Sequence, residues 1–248
     1  MNRSLTIALL HGWGTDPAIF SSVKEALCTR GHQVTIYEMP GYGSRSSVPS
    51  LATLEQLTGD AIEQLEKSEL WIGWSLGAMV ALAAATKQPA FLNGIIAVGA
   101  TATFCHDDAK RASLMELRQS VAADPAKALH RFQRSMPCPN QRRAIAKLLP
   151  KPMDQVCAST ETLLNGLDVL QRADLSQQVN KIVVPVKLIS GDEDLIIDVS
   201  AGRSMADLIP ESQFVTLPCG HLPFLECRDL FMEHVFEFTE TISQSKAN

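Results

Sequence analysis

Short apolar runs, each followed by roughly one helix length of mixed sequence, recur along the chain. They fall at residues 5–10, 34–38, 70–73, 94–98, 183–190 and 213–217. Most are apolar at nearly every position instead of alternating, the pattern of strands covered on both faces. Between them, 19–29, 54–67, 76–87 and 199–208 carry helical spacing, and Asp16-Pro17 is a start signal for the first. Strand followed by helix, repeated, predicts an α/β protein with a mainly parallel sheet. No internal repeat or low-complexity tract interrupts it.

The alternation stops at about residue 101 and resumes near 180. Within that stretch the pattern is helical, punctuated by Asp124-Pro125, Pro137-Cys138-Pro139, Pro150-Lys151-Pro152 and Asp154. Residues 102–180 therefore read as a helical lid inserted into a core made of 1–101 and 181–248. Leu163, Leu167 and Leu170 repeat at i, i+4 and i+7, an apolar stripe that faces either the main body or a ligand tunnel. Packing on the main body is the plainer expectation.

With 248 residues, 46% hydrophobic and 20% charged, the chain can bury one sizeable core with a module inserted. The run at 5–10 is far too short to span a bilayer and no small-residue cleavage site follows it, so a cytoplasmic protein off the membrane is expected. Six cysteines, at 28, 105, 138, 157, 219 and 227, form no C-x-x-C pair. Free thiols are expected, with neither a zinc site nor a disulfide framework.

Charge is unevenly spread. From Cys105 to Lys151 ten Lys or Arg face four acids, a net +6 that leaves −11 on the rest of the −5 chain. Such asymmetry steers an acidic partner to one side of the molecule. Nucleic acid fits poorly, because Phe104 and Phe132 are the segment's aromatics and stacking platforms are missing. An acidic protein fits better, and ordinary solvated helices are the plain alternative.

The chemistry centres on Gly73-Trp74-Ser75-Leu76-Gly77, a G-x-S-x-G pattern between an apolar run and an alanine-rich helical stretch. A serine there sits on a tight strand-to-helix turn, with glycines where side chains would strike the neighbouring strand and helix. Serine needs a base, and the base needs an orienting acid. Gly191-Asp192-Glu193-Asp194 follows one late apolar run and Cys219-Gly220-His221 follows the last, the chain order Ser, acid, His of α/β-hydrolases. Asp194 is the expected acid, with Asp192 its competitor and Asp198 more plausible as a helix cap. His221 is the expected base. The oxyanion needs two N–H donors. Leu76 and Trp13, the latter in the H-G-x-G-like His11-Gly12-Trp13-Gly14, are the expected pair. His11 itself is expected to brace its loop.

These residues and others make the chain similar to the pimeloyl-acyl-carrier-protein methyl ester esterase family, over nearly its whole length. The more specific matches are Leu9 to Gly14, Trp74 before the serine, Leu164 to Leu175 at the exit of the insert, and His221-Leu222-Pro223-Phe224. Glu38 to Ser44 resembles the family's D-x-P-G-x-G turn, with Glu at the usual Asp position. The resemblance implies an α/β-hydrolase fold and a cytoplasmic serine carboxylesterase of biotin synthesis without metal or cofactor. Its triad would be Ser75, Asp194 and His221, its substrate contacts Trp13, Leu76, Phe132, Gln133, Arg134, Ser135 and Met136. Arg131, Arg134, Arg142 and Arg143 would face an acidic acyl-carrier protein, and a monomer is expected. A broad short-chain esterase or a thioesterase would use the same triad. Departures are the leading antiparallel strands, which are expected to be missing, Ala78 at a frequent glycine, and Cys227-Arg228 where a proline often stands.

Overall fold

A computed structural model of the chain describes residues 3–149 and 158–245. Pro150-Lys151-Pro152, Asp154 and Cys157 lie outside these. Six strands, β1 (Thr6–Leu10), β2 (Gln33–Tyr37), β3 (Leu70–Trp74), β4 (Gly94–Val98), β5 (Val186–Gly191) and β6 (Ser212–Leu217), form one sheet in the order β2-β1-β3-β4-β5-β6. Every neighbouring pair is parallel, as the continuous apolar runs predict. β3, β4 and β5 are buried at every residue, whereas the outer strands β2 and β6 are only partly covered. Lys187 breaks the apolar run of β5, and its buried Nζ donates to Glu237 Oε2 at 2.6 Å.

Boundaries shift where local chemistry overrides hydrophobicity. The run at 183–190 enters the sheet only at Val186, paired with Ile95. Pro185 has no N–H to offer a ladder, although its carbonyl accepts from Ile95 N at 3.0 Å, and Val183 is 64% exposed. The first helical stretch begins as a 3-10 turn, Pro17–Phe20, capped by Asp16, before α1 (Ser21–Thr29). α2 (Leu54–Gln64) ends earlier than expected. α3 (Leu76–Thr86) is buried from Leu76 to Ala85; small side chains all round let it lie close against the sheet.

Between β4 and β5 the described residues build four α-helices, α4 (Asp108–Ala123), α5 (Pro125–Ser135), α6 (Arg142–Leu148) and α7 (Thr160–Arg172). Asp107, Asp124 and Ser159 cap three of them through side-chain oxygens. The two ends of the insert are tied together: Thr103 bridges Asp174, Thr103 Oγ1 donates to Asp174 Oδ1 at 2.8 Å, and Leu175 N donates to Ala102 O at 2.9 Å. Leu163, Leu167 and Leu170 are buried, and α7 packs on the loop after β1, where Trp13 Nε1 donates to Leu163 O at 2.9 Å. The segment 164–175 is dense in such ties. Asn165 donates to Ser50 Oγ, Arg118 of α4 donates to Asp168 Oδ1, and Gly166 leaves room for the Trp13 indole, which a Cβ would approach to 2.5 Å. α8 (Val199–Ala206), capped by Asp198 as expected, α9 (Pro223–Glu226) and α10 (Arg228–Ser245) complete the described chain.

Candidate active site

Strand order reverses between β1 and β3, and the loops after β1, β3, β5 and β6 open at the same carboxyl edge of the sheet. That edge is where open α/β sheets bind ligands. Ser75 follows β3 directly, and its backbone is at φ 55°, ψ −120°, a left-handed conformation costly for a non-glycine residue. Its N–H donates to Val98 O at 2.9 Å, while its own carbonyl accepts from Ala78 and Met79 as α3 begins. Gly73 and Gly77 leave no room for side chains: a Cβ on Gly73 would lie 2.5 Å from Gly77 O, and one on Gly77 would collide with the Leu10 and His11 carbonyls. Ser75 is partly exposed, and its hydroxyl makes no hydrogen bond among the described residues.

His221 and Asp194 meet because the loops after β5 and β6 are knitted by backbone bonds. Asp192 N donates to Leu217 O and Glu193 N to Cys219 O, each at 3.0 Å, and Gly191 packs against the Gly220 and Cys219 carbonyls where a Cβ could not fit. His221 Nδ1 lies 2.6 Å from Asp194 Oδ2, with the two side chains 0% and 1% exposed. The other oxygen, Oδ1, accepts the Ile196 and Ile197 N–H groups at 2.7 and 3.0 Å. Asp194, with Oδ1 taken by the two backbone donors and Oδ2 facing Nδ1, holds the imidazole in the tautomer with hydrogen on Nδ1. Nε2 is then the basic nitrogen; it is buried and has no hydrogen-bond partner. Asp192 is exposed. Ser75 and His221 share an anchor in Trp74, whose Nε1 donates to His221 O at 2.8 Å. Gly99, next to the Val98 that holds Ser75, leaves space for the imidazole: a Cβ there would sit 3.0 Å from Nδ1 and Cε1.

The loop after β1 lies over Ser75, and a Cβ on Gly12 would be 3.2 Å from that of Ser75. Neither Trp13 N–H nor Leu76 N–H has an acceptor among the described residues, so both remain able to bind a developing oxyanion. His11 is buried with both ring nitrogens engaged: Nδ1 pairs with Gly12 O at 2.9 Å and Nε2 accepts Met39 N–H at 3.2 Å. Burial lowers its pKa to about 4, so it stays neutral and braces the loop. Tyr42, whose hydroxyl accepts Gly14 N–H at 3.2 Å, supports the same loop. Burial pushes that hydroxyl up to about 12. Glu38 Oε2 accepts Ser44 N–H and Oγ–H at 2.6 Å each, closing the Glu38–Ser44 turn.

The insert residues separate into groups. Phe132 meets the Trp13 ring edge-on at 5.1 Å and also lines a cavity of about 320 Å³ with Phe104, Leu117, Leu195, Lys110 and Arg131. Ser135 borders that cavity too, whereas Ser75 and His221 do not; Phe132 is the wall between the cavity and the Trp13 side. Gln133 and Met136 are buried, and Met136 O accepts His221 N–H at 2.7 Å. Arg131, Arg134 and Arg143 are exposed and without ion pairs among the described residues, while Arg142 is half-buried with an unpartnered Nε. Sequence reasoning placed Tyr42 only in a turn and Lys110 only in the basic stretch, without their contacts to this site, where Lys110 Nζ donates to Ile196 O at 2.6 Å beside Asp194, and it missed Glu226. Only Glu226 carried a readable signal, a carboxylate one turn beyond the histidine.

The alpha/beta hydrolase family model matches residues 7–234, and the chain belongs to that family. It is similar along most of its length to curated carboxylic ester hydrolases. The pimeloyl-[acyl-carrier protein] methyl ester esterase of Vibrio cholerae is 26% identical over 94% of this chain and 93% of its own. That of Nitrosomonas europaea is 29% identical over 91% and 92%. Among solved structures, a thermophilic esterase from Thermogutta terrifontis superimposes with a TM-score of 0.84 at 22% identity, covering 98% of this chain and 92% of its own. A bromoperoxidase from Bacillus anthracis reaches 0.83 at 19% identity, covering 96% and 92%. Such likeness establishes the fold and leaves substrate open. No metal-binding cluster of His, Cys, Asp or Glu occurs among the described residues, and no described helix is long and apolar enough to cross a membrane.

Proposed function

We propose that the protein is a serine carboxylesterase that hydrolyses the methyl ester of a pimeloyl group carried on acyl-carrier protein, a step of biotin synthesis. The observation carrying the esterase chemistry is the buried His221–Asp194 pair with its free Nε2, set at the sheet edge that also presents Ser75 in a strained turn. Nε2 takes the Ser75 proton as Oγ adds to the ester carbonyl. Trp13 and Leu76 N–H groups donate to the oxyanion, and loss of either donor would cost ~10²–10³ in rate. The imidazolium then protonates the departing methanol, leaving an acyl-serine. Water, deprotonated by the same nitrogen, releases the carboxylic acid and the free serine.

The substrate reading is supported by the names of the curated relatives and by two features of the insert. Residues 102–180 act as a cap. Its helix α5 exposes Arg131 and Arg134 one turn apart, cations that attract an acidic carrier, and between them Phe132 meets Trp13 of the loop over Ser75 edge-on, an apolar contact on which an acyl chain can lie. Arg142, half-buried, and the exposed Arg143 add to the positive charge of the insert on α6, and the reaction requires no metal or redox cofactor.

Two measurements test the reading. Ser75→Ala should lose ~10⁶ of kcat; ordinary turnover by that variant would refute the covalent mechanism. Replacing Arg131 and Arg134 together by Glu should lower kcat/KM on carrier-bound ester by about tenfold or more at low salt, and spare a small nitrophenyl ester. Equal loss on both substrates, or none on either, would favour a broad short-chain esterase or thioesterase.

A further inference from the structure

Glu226 stands where three segments cross. Its Oε2 accepts the Cys138 N–H at 2.8 Å and the Gly220 N–H at 3.0 Å, and its Oε1 accepts the Leu222 N–H at 3.0 Å. Gly220 and Leu222 flank His221, and Cys138 belongs to the insert just beyond α5. Three backbone donors on one carboxylate are charge-assisted bonds, stronger than neutral ones. The same junction is closed from other sides: His221 N–H donates to Met136 O at 2.7 Å, and Trp74 Nε1 donates to His221 O at 2.8 Å. It is also tightly packed. A Cβ on Gly220 would lie 2.6 Å from Met136 O and 2.8 Å from Cys138 N. Burial, and then the Glu226 carboxylate, pushes the Cys138 thiol up to about 12, so it stays protonated beside the carboxylate.

We propose that Glu226 is a positioning residue for His221, clamping the base loop to residues 136–138 of the insert so that the seating of the insert sets the direction of Nε2. The proposal rests on the reading of His221 as the base. Asp194 fixes the imidazole at Nδ1 and the Trp74 ring packs on it with centroids 5.3 Å apart, but these contacts seat the ring and leave the main chain that carries it to be held separately. The main-chain clamp supplies the second constraint. Because half of that clamp comes from the insert, the base is aligned only while the insert is docked.

The test uses a small nitrophenyl ester, so carrier docking does not enter. Glu226→Ala should lower kcat by about 10- to 100-fold, the range expected when a base is misplaced by about 1 Å, with KM within about twofold of wild type. Glu226→Gln keeps one acceptor oxygen and should fall between. In the wild type the Cys138, Gly220 and Leu222 amides should exchange with solvent slowly and at one common rate, and Glu226→Gln should release them together. A folded Glu226→Ala enzyme with kcat within about twofold of wild type, or three wild-type amides exchanging at unrelated rates, would overturn the proposal. Should the alanine variant not fold, the glutamine variant and the wild-type exchange decide. His221→Ala separates the two readings: inactivity of that variant beside fully active Glu226 variants sinks only the clamp, and ordinary turnover by it sinks the assignment of the base.

Discussion

Ser75, the proposed nucleophile, also carries backbone strain, and the two can be separated by paired substitutions. Its φ of 55° with ψ −120° costs of order 1–3 kcal/mol in any residue with a Cβ. Alanine removes the hydroxyl and keeps that penalty, whereas glycine removes both. Glycine also loosens the unfolded chain, which offsets roughly 0.4–1 kcal/mol of the relief. Taking strain near the middle of its range, Ser75→Gly should be more stable than Ser75→Ala by about 1 kcal/mol. In a protein of this size that is roughly 2–4 °C in Tm. Urea unfolding and thermal melts of the two variants, both catalytically dead, measure the difference without interference from turnover. A glycine variant equal to or less stable than the alanine variant would show that the turn is unstrained. The idea that this site stores energy in its backbone to expose a nucleophile would then be wrong.

Two further outcomes follow from the site. Asp194→Asn should reduce kcat by ~10⁴, because the amide cannot hold the Nδ1–H tautomer, whereas Asp192→Asn, altering an exposed side chain, should stay near wild type; steady-state kinetics on a nitrophenyl ester distinguish them, and the reverse ranking would move the acid. His11 is lowered from 6.5 to about 4 by burial, so between those values the unfolded chain binds a proton that the native state does not, and native stability falls as pH drops through this window. The loss approaches about 3 kcal/mol near pH 4 and vanishes above about pH 7; it should appear as extra acid sensitivity in urea melts of the wild type relative to the non-titrating His11→Asn, and parallel pH curves for the two proteins would refute it.

Much of the architecture is legible in the sequence. Continuous apolar runs such as 70–73 and 94–98 mark strands buried on both faces, and the glycines around Ser75 mark a turn too tight for side chains. Boundaries were less legible, because they depend on single backbone groups. Pro185 holds Val183 out of the sheet although both neighbours of the proline are apolar. Lys187 inside β5 contradicts a purely apolar strand, and it is tolerated through Glu237, 50 residues away on α10.

The alignment of serine, acid and histidine along the chain, and the nature of the loops that carry them, belong to the sequence alone, because turn chemistry and strand periodicity act between near neighbours. Tertiary structure decided that Asp194 and not Asp192 turns toward His221, since that depends on Gly191 packing against the Gly220 carbonyl and on the Ile196 and Ile197 amides binding Oδ1. It also decided that Glu226 and Met136 hold the histidine loop. Contacts between segments some 90 residues apart leave no periodic trace, because they arise only when separate loops converge on one edge of the sheet.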